Sequence, residues 1–286
     1  MPAAPATLYP ALRRIADKRE SRANAGMGKV LAFVSCKGSS GATFLATNLG
    51  YALASLENKK VCLLDLNLQF GDATLFVSEH KPVATLADVC KQIHRIDPSF
   101  LAASMVSVTP NFSVLAAPED PSHSEDVKPE HVDTLLKLAR RHYDFILLDI
   151  GRTLDAVSVR ALDQADMIYP ILQTTLPYIR DGKRLLGVFN SPRLQPRQDF
   201  ADRQPAPQGL GQIRLTDLEG AYGTRIHHTM PNHYEAAAAS VNQGVPILKL
   251  DPASPLSKAI GEMARELSGP AETESRPGWL SKLFRS

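Results

Sequence analysis

The sequence has little of what would cross-link a fold or bury it in a membrane. It holds three cysteines in 286 residues, Cys36, Cys62 and Cys90. An odd number without metal or redox spacing excludes a disulfide scaffold, so all three are expected to be reduced, with Cys36 and Cys62 filling the core. No apolar run approaches the roughly 20 residues of a spanning helix. Prolines and charges occupy the first 30 residues, where a signal peptide needs an apolar stretch. A cytoplasmic protein is expected. Charge of one sign is lacking too: Lys plus Arg is 32, Asp plus Glu is 30, and the net charge is +2. That balance gives no bulk attraction for nucleic acid, and no nucleic-acid partner is expected. What is present is 44% hydrophobic residues against 22% charged, the composition of a chain that can bury a sizeable core.

Residues 1–28 read as an Ala-, Arg- and Pro-rich arm or linker. From Lys29 onward the pattern changes. Val30 to Ser35 is a buried-strand run, a Gly/Ser turn follows, and Thr43 to Leu56 repeats apolar residues at helical spacing. Val61 to Leu64, Val114 to Ala116, Phe145 to Ile150, Met167 to Leu172 and Thr224 to His228 read as further strands. Helical patterns lie between most of them, at Thr134 to Arg141, Ala156 to Gln164, Tyr178 to Phe189 and Leu215 to Tyr222. This alternation predicts an α/β fold over 29–268, a doubly wound, mostly parallel sheet flanked by helices. Residues 191–212, rich in Pro and Gln, are expected to form a disordered, exposed loop. Residues 269–286 read as a polar linker and a short amphipathic tail, with Trp279, Leu280, Leu283 and Phe284 beside Lys282 and Arg285.

The strongest chemical signal is Lys37-Gly38-Ser39-Ser40-Gly41-Ala42-Thr43, followed by Phe44, between a predicted strand and a predicted helix. Small residues there let backbone N–H groups turn onto phosphate oxygens, and the following helix N-terminus adds partial positive charge. Thr43 would offer its hydroxyl to Mg²⁺. The competing reading is an ordinary glycine-rich turn. Asp65 and Asp149 each end a predicted strand, which brings both carboxylates to the carboxyl edge of the sheet beside the loop. Loop and carboxylates together define a metal–nucleotide site with Thr43, Asp65 and Asp149 on the metal. The eight histidines, including His227-His228, lack ligand spacing and read as surface or packing residues.

These segments, with Asp65-Leu66-Asn67-Leu68-Gln69-Phe70-Gly71-Asp72 and the stretch from Tyr143 to Gly151, resemble the MinD/ParA superfamily of deviant-Walker ATPases. Within it the chain is most similar to the CpaE/TadZ proteins of Tad (Flp, type IVc) pilus assembly. The resemblance runs from about Lys29 to Leu267. It implies ATP and Mg²⁺ as cofactors, with the nucleotide held by 37–44, Asp65, Asp149 and Gly151. It also implies a homodimer formed on ATP and a partner such as the Tad pilus secretion ATPase or another pilus component. Location at a cell pole or the inner-membrane surface is implied as well, with the tail touching the membrane or docking as a peptide.

Three departures shape the expected mechanism. Lys37 matches the family's signature lysine, whose implied role is to reach the partner's phosphates across the dimer, but the phosphate-clamping lysine is replaced by Ala42. Asn67 stands where the superfamily places a water-activating aspartate; asparagine can align a water but cannot accept its proton. Hydrolysis is therefore expected to be weak, with Lys37 and Asn67 as the catalytic-site positions. Asp72 either substitutes for that aspartate or caps a turn. The 191–212 segment stands where similar proteins place an adenine-side strand. The segments from Leu176 to Asp181, from Pro231 to Glu235 and from Val241 to Pro246 flank the nucleotide in similar proteins, or serve as turns and caps. The alternative function is a ParA-type partitioning ATPase bound to nucleoid DNA, which needs a basic face. A related tyrosine kinase would need a C-terminal tyrosine cluster, and an iron–sulfur reductase paired cysteines.

Overall fold

The computed structural model describes residues 27–38, 40–189, 197–198, 201–203 and 214–269. Its strands are β1 (Lys29–Ser35), β2 (Val61–Asp65), β3 (Val106–Thr109), β4 (Phe112–Leu115), β5 (Phe145–Ile150), β6 (Met167–Gln173), β7 (Arg197–Gln198), β8 (Ala201–Arg203) and β9 (His228–Met230). They form one sheet in the order β3-β4-β2-β5-β1-β6-β8-β9, with β7 also pairing β6. Among the described strands, β3 and β4 pair antiparallel and the rest pair parallel. The helices are α1 (Ala42–Ser55), α2 (Leu86–Lys91), α3 (Pro98–Ser104), α4 (Pro129–Ala139), α5 (Ala156–Asp163), α6 (Leu176–Phe189), α7 (Leu215–Tyr222), α8 (Tyr234–Asn242), α9 (Ile247–Leu250) and α10 (Pro255–Ser268).

Both faces of the sheet are covered, which is why its central strands read as unbroken apolar runs. Successive residues of β1 point to opposite faces. Leu31 and Phe33 join Leu49 and Leu53 of α1 and Ile260 and Met263 of α10 in one core. Val30, Ala32 and Val34 join Leu136 of α4, Leu162 of α5 and Leu186 of α6 in the other. Cys36, Cys62 and Cys90 are free and buried. No described helix is long and apolar enough to cross a membrane.

Several expectations shift. The strand expected at Thr224 to His228 lies at His228–Met230. Gly223, at φ 68°, closes α7, and the Ile226 N–H donates to the Glu219 side chain at 3.0 Å, so the chain is still turning there. The loop expected over 191–212 includes β7 and β8, and β8 pairs in parallel with β6 and β9. A ladder uses backbone groups, so a polar composition does not preclude it. The remainder of that segment, the arm before Met27, Ser39 and the tail after Gly269 lie outside the described residues.

Candidate functional site

β1 delivers the chain to the carboxyl edge of the sheet, and the loop after it is tied down at both ends. The Cys36 N–H donates to the Ile171 carbonyl at 3.1 Å, and the Ser40 N–H turns back to the Lys37 carbonyl at 3.2 Å. The Ser40 hydroxyl donates to Ser35 Oγ at 2.9 Å. Gly41 then starts α1 from φ 94°, in the left-handed region glycine enters without steric cost. Side-chain oxygens cap other helices: Asp97 accepts from the Phe100 N–H, Asp155 from Ser158 and Ser254 from Ser257. α1 has no side-chain cap and no acidic residue in its first turn. Its leading N–H groups and positive dipole end are thus left for an external anion. Lys37 is half-buried and makes no ion pair among the described residues. Ala42 is buried at the start of α1.

Beneath the loop, Thr43 Oγ1 donates to Asp149 Oδ2 at 2.7 Å. Asp65 and Asp149 are register partners on β2 and β5, and both are buried. Asp65 accepts from the Asn67 N–H at 3.1 Å and the Ala73 N–H at 3.0 Å. Burial pushes the Asp149 carboxyl up to about 6, against the pull of the Thr43 bond. Burial raises Asp65 well above the usual carboxylate range, and repulsion from Asp149 adds to it. Side by side in a dry pocket, the two carboxylates have no counter-charge among the described residues. A divalent cation would supply one, and an all-oxygen set of Thr43, Asp149 and Asp65 suits Mg²⁺. Among the described residues no group of three or more His, Cys, Asp or Glu could hold a metal. Phosphate oxygens and water would therefore complete its shell. Mg²⁺ bound there would neutralise phosphate charge.

Two glycines make this packing fit. A Cβ at Gly71 would sit 2.5 and 2.6 Å from the Asp65 carboxylate oxygens, and one at Gly151 would sit 2.6 Å from Asn67 Oδ1. Gly71→Ala is expected to displace the Asp65 carboxylate, costing about 2–3 kcal/mol in urea unfolding and weakening Mg²⁺-dependent binding. A Gly71→Ala protein as stable as wild type would contradict this. Asn67 Nδ2 donates to the Phe70 carbonyl at 3.0 Å, so its side chain pins the loop after β2. Asp72 precedes the short 3-10 turn Ala73–Phe76 without a side-chain cap bond; its carboxylate does not do the turn-capping expected of it.

A cleft of about 500 Å³ opens beside the loop, lined by Ser35, Ser40, Gly41, Ala42, Thr43 and Phe44 on one side. Phe76 and, from α8, Tyr234, Ala237, Ala238, Val241 and Asn242 complete it. Of the segments read either as flanking or as turns, those holding Tyr234 and Val241-Asn242 therefore reach the site. The segment from Leu176 to Asp181 reaches the loop as well: the Tyr178 hydroxyl donates to the Gly38 carbonyl at 3.1 Å, a contact the sequence did not single out within that segment. The available signals were the resemblance of that segment and its place in the first turn after β6, at the carboxyl edge.

A glycine loop between a central parallel strand and a helix, with a hydroxyl of that helix bonded to a strand-end aspartate, defines a P-loop nucleotide-binding protein. Residues 28–197 match the family model AAA_31, described as an AAA domain. The chain belongs to that family, among the MinD/ParA-type ATPases. It is 25% identical over 254 residues to the septum site-determining protein MinD of Thermotoga maritima, covering 85% of this chain and 89% of that protein. It is 24% identical over 263 residues to the sporulation initiation inhibitor Soj of Bacillus subtilis, covering 85% and 99%. Among solved structures it is similar to a ParA family ATPase from Chlorobium tepidum, with TM-score 0.79, 27% identity and coverage of 84% of this chain and 98% of that one. MinD from Pyrococcus horikoshii, complexed with Mg-ADP, has TM-score 0.72 at 20% identity, covering 84% and 96%.

Proposed function

We propose that this chain binds ATP with Mg²⁺, dimerises around it, and acts as a localisation and assembly factor for a Tad (Flp) pilus secretion system, hydrolysing ATP slowly. The observation that carries the nucleotide reading is the Thr43–Asp149 hydrogen bond of 2.7 Å beneath an uncapped helix N-terminus. In this reading residues 37–44 and Gly151 hold the nucleotide, Thr43, Asp65 and Asp149 hold Mg²⁺, and the missing side chain of Gly151 leaves room for Asn67. The slow chemistry follows from Asn67, which takes no proton, and from Ala42, which brings no ammonium to the phosphates. For dimerisation the support is surface chemistry. Phe70, Leu176 and Tyr234 are 76, 74 and 71% exposed, each just beyond the carboxyl end of a strand, where a second copy would cover them.

The pilus assignment rests on the motif resemblance, and its partners are a Tad secretion ATPase or another pilus component. The cationic, amphipathic sequence from Trp279 to Arg285 suits an anionic membrane surface; deleting 278–286 is expected to abolish pelleting with anionic liposomes. Undiminished pelleting would remove the membrane role. The test of the function is paired: Mg²⁺-ATP should convert monomer to dimer in sedimentation, and turnover should be slow. Asn67→Asp should raise turnover at least about tenfold by restoring a proton acceptor, and an unchanged rate would count against this account of slow turnover. Similarity to Soj and to a ParA family ATPase keeps a partitioning role as the second reading. Salt-sensitive, ATP-dependent binding to duplex DNA would establish it in place of the first.

A further inference from the structure

We infer that Tyr178 is a positioning residue for the phosphate loop: its hydroxyl fixes the Gly38 carbonyl and so presets the direction of the loop's main-chain amides. The inference rests on the nucleotide reading of the loop. The Tyr178 hydroxyl donates to the Gly38 carbonyl at 3.1 Å, across 140 residues of sequence. Gly38 is exposed, and a Cβ built on it would meet nothing within 4 Å. Packing therefore does not hold Gly38, and a glycine turns freely without a restraint. A carbonyl anchored by Tyr178 limits how far Gly38 can turn, and with it the path on which the loop presents its amides. In a loop whose internal ammonium is replaced by Ala42, amide direction carries more of the phosphate binding than it would beside a lysine.

The anchor is itself held. Tyr178 is buried among the apolar residues of the core, and its N–H donates to the Thr175 carbonyl at 3.0 Å. Its carbonyl accepts from the Tyr222 hydroxyl at 3.2 Å. The Tyr222 ring lies against α6 where Gly182 has no side chain; a Cβ there would come within 2.7 Å of the Tyr222 hydroxyl. Three elements are thus linked in series, α7 to α6 to the loop.

Tyr178→Phe removes the hydroxyl and keeps the ring in its packing, so the fold is expected to survive with an unchanged melting temperature. Hydrogen exchange of the ligand-free protein should then show faster exchange in peptides spanning 37–42, by about fivefold or more, with peptides from β6 and α6 exchanging as in wild type. Affinity for Mg²⁺-ATP should fall about fivefold to tenfold, the weight of one hydrogen bond. Tyr222→Phe, which leaves the Tyr178 hydroxyl in place, should give a smaller change of the same kind. Wild-type exchange at 37–42 in Tyr178→Phe overturns the inference, as does faster exchange spread evenly over α6 and the core. If wild type binds no nucleotide, the functional reading falls, while the exchange comparison still decides whether Tyr178 holds the loop.

Discussion

Asp149→Asn is expected to make the ligand-free protein more stable and to weaken its Mg²⁺-dependent nucleotide binding. Asp149 is buried on a strand next to Asp65, and its carboxyl is raised from 3.8 to about 6 by that burial. At neutral pH the folded protein must carry a charge that the dry pocket opposes, at a cost of about 3 kcal/mol. An amide carries no charge, and its oxygen still accepts the Thr43 hydroxyl. Because the folded carboxyl titrates above its unfolded counterpart, the penalty is full above pH 6 and gone near pH 4. Urea unfolding should therefore show the variant ahead of wild type at pH 7 and level with it at pH 4. The same substitution takes an anionic oxygen from the cation, so Mg²⁺-ATP affinity should fall by about a hundredfold. A variant less stable than wild type at pH 7, or one binding Mg²⁺-ATP normally, would contradict the assignment. Stability given up for function is the signature of a binding site.

Lys37→Ala is expected to abolish ATP-driven dimerisation while leaving the monomer's stability within about 0.5 kcal/mol. Lys37 stands at the turn after β1, half-buried, in the peptide stretch that Ser40 closes at 3.2 Å. Its ammonium makes no ion pair among the described residues, so its loss from the free monomer unmakes nothing there. Across a dimer it would meet the partner's phosphates in a water-poor interface, where truncating one member of a charged pair costs about 2–5 kcal/mol. Sedimentation velocity with Mg²⁺-ATP should show wild type as dimer and the variant as monomer, with a dimer dissociation constant raised at least about thirtyfold. A variant that dimerises like wild type would place Lys37 outside the interface.

The central strands and the carboxylates were readable because their causes are local. β1, β2 and β5 are buried on both faces, so each is an apolar run ending at the sheet edge, and Asp65 and Asp149 interrupt the apolarity where the edge begins. The glycine loop declared itself by position between β1 and α1. What was hidden depends on contacts distant in sequence or on the backbone. Residues 201–203 pair with β6 and β9 although their neighbourhood is polar, since strand pairing is blind to side-chain type. The closeness of Gly71 to Asp65 arises only when the chain returns after β2. Tyr178 reaches Gly38 across 140 residues, and Tyr234 comes to line one cleft with the loop only when α8 is in place. The core was spelled along the strands; the walls of the site come from turns that converge on them.

The central proposal is a loop that would hold a triphosphate by main-chain amides and Mg²⁺, with Ala42 in the place of a clamping lysine. Isothermal titration of the full chain with ATP tests that directly. Saturable heat at one nucleotide per chain is expected in the presence of Mg²⁺, and its loss when the metal is chelated. No heat with ATP, ADP or AMP at any Mg²⁺ concentration would contradict it.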